Sequence, residues 1–187
     1  LGSDSEGYPA LAAQGFALFQ DKGCASCHRI NDTSALFTDG QFHNTGTGYR
    51  RAGRAQRPPS VQLAPGVFVV PTVDAETEMF TDDGRFEVTG READKWRYRT
   101  PSLRNVALTG PYMHDGSIAT LEGVVAFYAE GGGGDPTQDP RTRSVQLTES
   151  DQEALVAFLR TLTSSHVDAL VSDARSVTIG ERTAGGQ

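Results

Sequence analysis

Cys24-Ala25-Ser26-Cys27-His28 holds the residues of this chain best suited to bond-forming chemistry. These are the only two cysteines in the sequence. They stand three apart, and a histidine follows the second directly. Cysteines at that spacing on one helical turn point the same way. Both sulfurs can then form thioether bonds to the vinyl groups of one haem, while the next residue delivers an imidazole to the iron from a fixed side. The pattern predicts one covalent haem c. Two other chemistries use paired cysteines. A redox dithiol should adjoin a strand–helix unit, and none is evident here. A structural zinc site wants two more ligands, usually at a second paired spacing.

With His28 as proximal ligand, the second ring nitrogen is expected to donate to a carbonyl or carboxylate. The sixth iron position then decides the function: an open site permits ligand chemistry, methionine raises the potential, and a tyrosine oxygen suits ferric iron. The available donors are Met79, Met113, His114 and Tyr128, with His43 and His166 behind them. Spacing alone makes Met113 the default, because a methionine in a Pro-Tyr-Met-His loop resembles that of an electron-carrier cytochrome. Met113 can equally pack against a ring edge, and Tyr128 on an apolar helical stripe is by default a core tyrosine.

These residues need elements to hold them. The helix predicted over Ala10–Gln20 runs straight into the cysteine motif. Ala12, Phe16 and Phe19 share one face, as do Leu11, Gly15 and Leu18. Pro9 fits its first turn and Gly23 its stop. Thr120 and Glu122 suit the start of a second helix, with Leu121, Val124, Val125 and Tyr128 along one face. The glycines from Gly131 to Gly134 end it. Thr148-Glu149-Ser150-Asp151 resembles a capping box, and it opens a third helix striped by Leu155, Phe158, Leu159 and Leu162. Between these lie long stretches with few helix signals. Ile30–Val73 carries turn-prone glycines, a basic patch (Arg50, Arg51, Arg54 and Arg57) and a short strand at Val67–Val70 ended by Pro71. A charge run of this kind is ordinarily a solvated loop, and its sharper reading is a docking surface or a propionate partner. Thr81–Trp96 is polar with a turn at Asp83-Gly84. Tyr98–Gly116 mixes apolar, cationic and breaker residues, as backbone wrapped over a cofactor would.

The expected architecture is all-α, a cytochrome c-type haem domain over residues 10–163 with long Gly/Pro-rich loops. A flexible segment precedes it at residues 1–9, and a polar tail follows at 164–187. The 187 residues include 21 glycines and 9 prolines and are 37% hydrophobic, so a buried cofactor would supplement a modest core. The net charge of -7 argues against nucleic acid as a partner. No apolar run approaches the roughly 20 residues that span a bilayer. Covalent haem of this type is normally attached outside the cytoplasm, so the expected location is the periplasm, reached with a leader that is not part of this sequence.

The run from Arg99 to Gly116, Arg-Thr-Pro-Ser-Leu-Arg-Asn-Val-Ala-Leu-Thr-Gly-Pro-Tyr-Met-His-Asp-Gly, resembles the C-terminal haem domain of the bacterial di-haem cytochrome c peroxidase and MauG family. So do Thr38–Gly46 (Thr-Asp-Gly-Gln-Phe-His-Asn-Thr-Gly), Gly84–Gly90 (Gly-Arg-Phe-Glu-Val-Thr-Gly) and Ala157-Phe158-Leu159-Arg160, in order, from about Phe16 to Leu162. The resemblance implies haem on Cys24 and Cys27 with His28 proximal. It places the sixth ligand on the helix after the Pro-Tyr-Met-His-Asp-Gly loop: methionine in typical peroxidases and tyrosine in the MauG branch, here Tyr128, with Met113 as the alternative. It also implies a calcium ion held partly by the backbone carbonyls of Thr109 and Pro111, a chemistry that suits a hard cation. Arg99 and Arg104 would meet the haem propionates.

The same resemblance implies a peroxidase-type oxidoreductase in which this haem stores or relays oxidising equivalents. These would serve hydrogen peroxide reduction, with a small redox donor, or the oxidation of a partner protein. The family has two haems and this chain one attachment motif, so the peroxide-reactive haem belongs to another domain or subunit and the chain alone is not catalytically complete. MauG-like proteins carry a tryptophan near the motif, where Lys22 stands here, while Trp96 lies elsewhere. The competing expectation is a mono-haem electron carrier with His28 and Met113 ligation and no catalysis of its own.

Overall fold

Three helices pack around one aromatic core, and each begins or ends where its sequence says it must. The computed structural model describes residues 9–31, 34–50, 61–64, 67–69, 82–142 and 145–176. Helix α1 spans Ala10–Asp21. Pro9 is its N-cap rather than a first-turn residue, and the Pro9 carbonyl accepts from the amides of Ala12 and Ala13. Gly23, at φ 84°, stops it and starts a 3₁₀ turn over Cys24–Ser26. Of the two expected stripes, Ala12, Gly15 and Phe19 are buried, while Leu11 stands exposed.

The one-turn helix α2 (Phe86–Thr89) lies within the segment expected to be polar with a turn at Asp83-Gly84. Its four residues are too few for a readable period. Helix α3 spans Leu121–Ala129 and is capped by Thr120, whose Oγ1 accepts from the Gly123 amide at 3.1 Å. Helix α4 spans Glu149–Thr161 and carries the full capping box: Asp151 N donates to Thr148 Oγ1 at 3.2 Å, and Thr148 N donates to Asp151 Oδ2 at 2.9 Å. Two orphan amides are thereby satisfied reciprocally.

Helix α4 lies along α1 and also touches α3. Phe19, Phe37, Leu155, Phe158 and Leu159 form the centre of the core. Phe158 makes ring contacts with Phe16, Phe19 and Phe37 at centroid separations of 5.3, 5.1 and 6.2 Å. Burying each such side chain stabilises the fold by about 1.5–3 kcal/mol.

The strands are minor. β1 (Phe42–His43) pairs antiparallel with β4 (Tyr98–Arg99), and β2 (Val61–Ala64) with β3 (Val67–Val69). The strand expected at Val67–Val70 is β3. The β1–β4 pair has no signal in the sequence, since two-residue strands carry no alternation to read.

The polar segment expected as a tail contains helix α5 (Val167–Ser176). Its entry is pinned by Asn105, whose amide donates to the Leu162 carbonyl at 2.9 Å and whose Oδ1 accepts from Ser164 N at 2.8 Å. Among the described residues no helix is long and apolar enough to cross a membrane.

Candidate metal centre

The 3₁₀ turn fixes the spacing of the sulfurs. Cys27 N and His28 N both donate to the Cys24 carbonyl, at 3.3 and 3.0 Å, so the motif is one compact turn at the end of α1. No disulfide joins Cys24 to Cys27. Burial pushes the Cys24 thiol up to about 11, and burial also raises that of Cys27. A catalytic dithiol uses a depressed pKa, and burial here acts in the opposite direction. The zinc alternative has no better support. Among the described residues the only cluster of His, Cys, Asp and Glu donors is Cys27, Asp39 and His43, and it leaves out Cys24 and His28.

His28 is oriented by the backbone. Its Nδ1 lies 2.8 Å from the Phe37 carbonyl oxygen. The Pro101 backbone also bonds the ring; with Nδ1–H donated to Phe37, Nε2 would be the ligand atom, the usual outer-shell arrangement of a metal-binding histidine. Burial pushes the imidazole pKa down, with the Phe37 bond opposing it, which favours the neutral form that a metal needs. Phe37 presents this carbonyl from a left-handed backbone, φ 53°. That conformation is uncommon for a bulky residue. It is held because the Phe37 ring is 6% exposed and locked edge-on against Phe19 and Phe158. The aromatic core therefore sets the proximal imidazole.

Tyr128 sits in the last turn of α3. The residue is half-buried, but its phenol lies deep enough that burial pushes its pKa upward, with the nearby Cys24 and Cys27 sulfurs adding to the effect. It is thus within electrostatic reach of both cysteines. Its hydroxyl makes no hydrogen bond to any described residue. Two sulfurs on one turn, an imidazole bonded through Nδ1 to the Phe37 carbonyl and a phenol near both sulfurs fit the donor set that a His/Tyr-ligated haem c would use.

The other donors are placed as follows. Met113 is half-buried in the Pro-Tyr-Met-His loop, at φ 66°. His114 pairs with Asp82 at 3.2 Å, and His166 is exposed. Met79 lies outside the described residues, as do Arg51, Arg54 and Arg57 of the basic patch. Arg50 stacks over Phe127 at 5.6 Å. Arg99 and Arg104 are exposed. Thr109 and Pro111 flank Gly110 on an exposed loop, and no cluster of acidic donors accompanies them among the described residues.

A polar network beside Cys27 goes beyond the sequence expectations. His43 Nε2 lies 2.8 Å from Asp39 Oδ2, and its Nδ1 lies 3.0 Å from Asp139 Oδ2 and 2.9 Å from Arg141. The Arg141 guanidinium donates twice to Asp139, at 2.9 and 2.6 Å. Those bonds hold the Asp139 carboxyl far below its ordinary value. Burial tends to raise the Asp39 carboxyl, but its bonds from Gln41 and His43 outweigh this and lower it. The residues come from loops almost a hundred positions apart, so only the Thr38–Gly46 motif hints at them.

This network predicts an acid instability. A depressed folded-state pKa contributes stability that is present above the unfolded carboxylate pKa of about 4 and is lost as the pH falls toward the folded value. Thermal stability should hold from pH 7 to about 5 and decline toward pH 2, and Asp139→Asn should lower it at pH 7 and flatten the decline. An Asp139→Asn variant whose stability tracks the parent at every pH would remove this role.

The cytochrome c family profile matches residues 12–163. Over 178 residues, 91% of this chain and 44% of the relative, it is 35% identical to cytochrome-c peroxidase IdrP1 of Denitromonas iodatirespirans. Over 160 residues, 85% of this chain and 36% of the relative, it is 34% identical to the methylamine utilization protein MauG of Methylorubrum extorquens. Among solved structures, the diheme peroxidase BthA from Burkholderia thailandensis superimposes with a TM-score of 0.59 at 25% identity, covering 84% of this chain and 43% of that one. A MauG-like protein associated with microbial copper homeostasis gives 0.57 at 28% identity, covering 84% and 48%. The chain spans less than half the length of the relatives it matches.

Proposed function

Because the chain belongs to the cytochrome c family, in the group of cytochrome c peroxidases and MauG proteins, we propose that it is the C-terminal, electron-storing haem domain of a di-haem peroxidase-type oxidoreductase. It works with a second, peroxide-reactive haem held on another domain or subunit. Bound haem c supplies one-electron redox chemistry at its iron.

The residues of this chain do the holding and tuning. Cys24 and Cys27 tether the macrocycle. His28 presents Nε2 on one side, kept in that tautomer by the Phe37 carbonyl at 2.8 Å. Tyr128 presents its phenol oxygen as the sixth ligand, with Met113 the less supported alternative. An anionic oxygen ligand favours ferric over ferrous iron, so the domain is tuned to hold an oxidising equivalent rather than to pass electrons at high potential. Arg99 and Arg104 meet propionates, and the carbonyls of Thr109 and Pro111 contribute to a calcium site facing the second haem domain. Peroxide is the oxidant, a small donor or a partner protein is the reductant, and the compartment is the periplasm.

The observation that carries this reading is the Cys24–His28 turn, with His28 Nδ1 set 2.8 Å from the Phe37 carbonyl and with Tyr128 close enough for both cysteine sulfurs to act on its phenol. The test is a covalent haem count on the purified chain alone and on the assembly with its second haem-bearing partner, with spectra before and after peroxide. The expected result is one haem on this chain, two in the assembly, and a peroxide-dependent spectral change that needs both. A colourless protein with two titratable thiols, or full peroxide turnover by the chain alone, would refute the proposal.

A further inference from the structure

Tyr128 stands next to the end of its helix, and a run of four glycines, Gly131–Gly134, lies just beyond that end. A helix end frays readily, and glycine loses more backbone freedom on folding than any other residue. A ligand oxygen in that position needs something to hold it.

The structure supplies a lock. Gly131 N and Gly132 N donate to the Tyr128 and Phe127 carbonyls at 3.0 and 2.9 Å. Both glycines are left-handed, at φ 87° and 82°, the geometry that closes the last carbonyls of a helix. That geometry is then gripped by one side chain. Gln138, 3% exposed, donates from Nε2 to the Gly131 carbonyl at 2.8 Å and to Thr142 Oγ1 at 2.7 Å, and accepts from Gly134 N at 3.0 Å.

A second buried amide ties the same loop to β1. Asn44, also 3% exposed, donates to Asp135 Oδ2 at 2.7 Å and accepts from Gly46 N at 2.8 Å. Its carbonyl accepts from Asp139 N at 2.8 Å, and Gly133 N donates to the Thr45 carbonyl at 2.9 Å. The two loops touch backbone to backbone: a Cβ on Gly46 would lie 2.5 Å from Gly133 Cα. Neither Gln138 nor Asn44 reaches the cysteine turn or the Tyr128 ring through any hydrogen bond they make.

We infer that Gln138, with Asn44 behind it, is a positioning residue for Tyr128: it fixes the glycine cap so that the phenol oxygen is held against the iron. This rests on Tyr128 being the sixth ligand. The loss of such a lock lowers the fraction of time the phenol is seated, without removing either the tether or the proximal histidine.

Competition reads that loss directly. Imidazole binding to the ferric haem must displace Tyr128, so its apparent affinity rises as seating weakens. Tyr128→Phe sets the ceiling. Gln138→Met, with haem load and proximal ligation intact, should raise imidazole affinity about ten-fold, on the scale of the two hydrogen bonds that Gln138 makes to the glycine loop among its three. The milder Thr142→Val, which removes one Gln138 partner, should raise it about three-fold to five-fold and decides the matter if Gln138→Met does not load haem. If Tyr128→Phe leaves the affinity at the parent value, the ligand assignment fails. If Tyr128→Phe raises it while the loaded Gln138→Met, or failing that Thr142→Val, stays at the parent value, the ligand assignment stands and the lock is refuted.

Discussion

Gly15→Val is expected to cost the fold about 3 kcal/mol or more and to depress haem attachment with it. Gly15 is buried where α1 crosses α4. A Cβ built there would run into the Ala154 carbonyl oxygen and lie 2.9 Å from Phe158 Cβ. The obstacle is mainly helix backbone rather than the end of a flexible side chain, so no rotamer change relieves it. The two helices must move apart, and Phe158 must leave the Phe16, Phe19 and Phe37 rings it packs on. Overpacking alone typically costs 1–3 kcal/mol, and here part of the aromatic cluster is lost as well.

The consequence reaches the metal centre because α1 ends at Asp21, three residues before Cys24. Phe37, which supplies the carbonyl to His28, is held in its left-handed conformation by the same rings. Chemical denaturation should show a lower midpoint, and covalent haem per chain should fall. A Gly15→Val protein with the parent's midpoint would mean that the α1–α4 contact is not the one described. Gly23→Ala is a useful contrast: among the described residues nothing beyond its chain neighbours lies within 4 Å of a Cβ there, and the positive φ is what opposes it, so its penalty should be the smaller.

That comparison marks the limit of what the chain declares about itself. The helix ends are legible because caps and breakers are local: Thr120, the Thr148–Asp151 box and Gly23 act within a few residues of where they stand. The cysteine motif is legible for the same reason. Anything assembled from distant segments cannot be read in this way. Gly15 looks like one more small residue on a helical stripe until Ala154 is placed against it. Phe37 gives no sign that its carbonyl will turn toward His28. His43 reads as a spare iron donor, yet it lies between Asp39 and Asp139, with Arg141 beside it. Gln138 is an unremarked polar residue in a loop, although it makes three hydrogen bonds in the interior. The Thr38–Gly46 stretch stands out only as part of a resemblance. Its physical purpose, lacing β1 to the loop after α3, depends on contacts nearly a hundred residues long in sequence.

Tyr128→Phe should have the largest effect on the chemistry with little effect on the fold. The substitution keeps the ring that packs edge-on against Phe127 at 5.2 Å and removes only the hydroxyl, which makes no hydrogen bond to any described residue. Stability should therefore change little. The ferric spectrum should change substantially, because an anionic oxygen ligand is replaced by water, by nothing or by a neighbouring donor. The midpoint potential should rise by on the order of 0.1 V or more, since axial ligands set haem potentials over a span of about 0.8 V and an anionic ligand stabilises the ferric state that is being lost. Met113→Leu is the matched control. If Tyr128 is the ligand, Met113→Leu leaves both spectrum and potential near the parent's. If Met113 is the ligand, the two variants exchange roles, Tyr128→Phe becomes silent, and the domain is an electron carrier of higher potential. The first outcome is the expected one: both cysteine sulfurs act electrostatically on the Tyr128 phenol, which stands on a helix whose end is closed and gripped from behind.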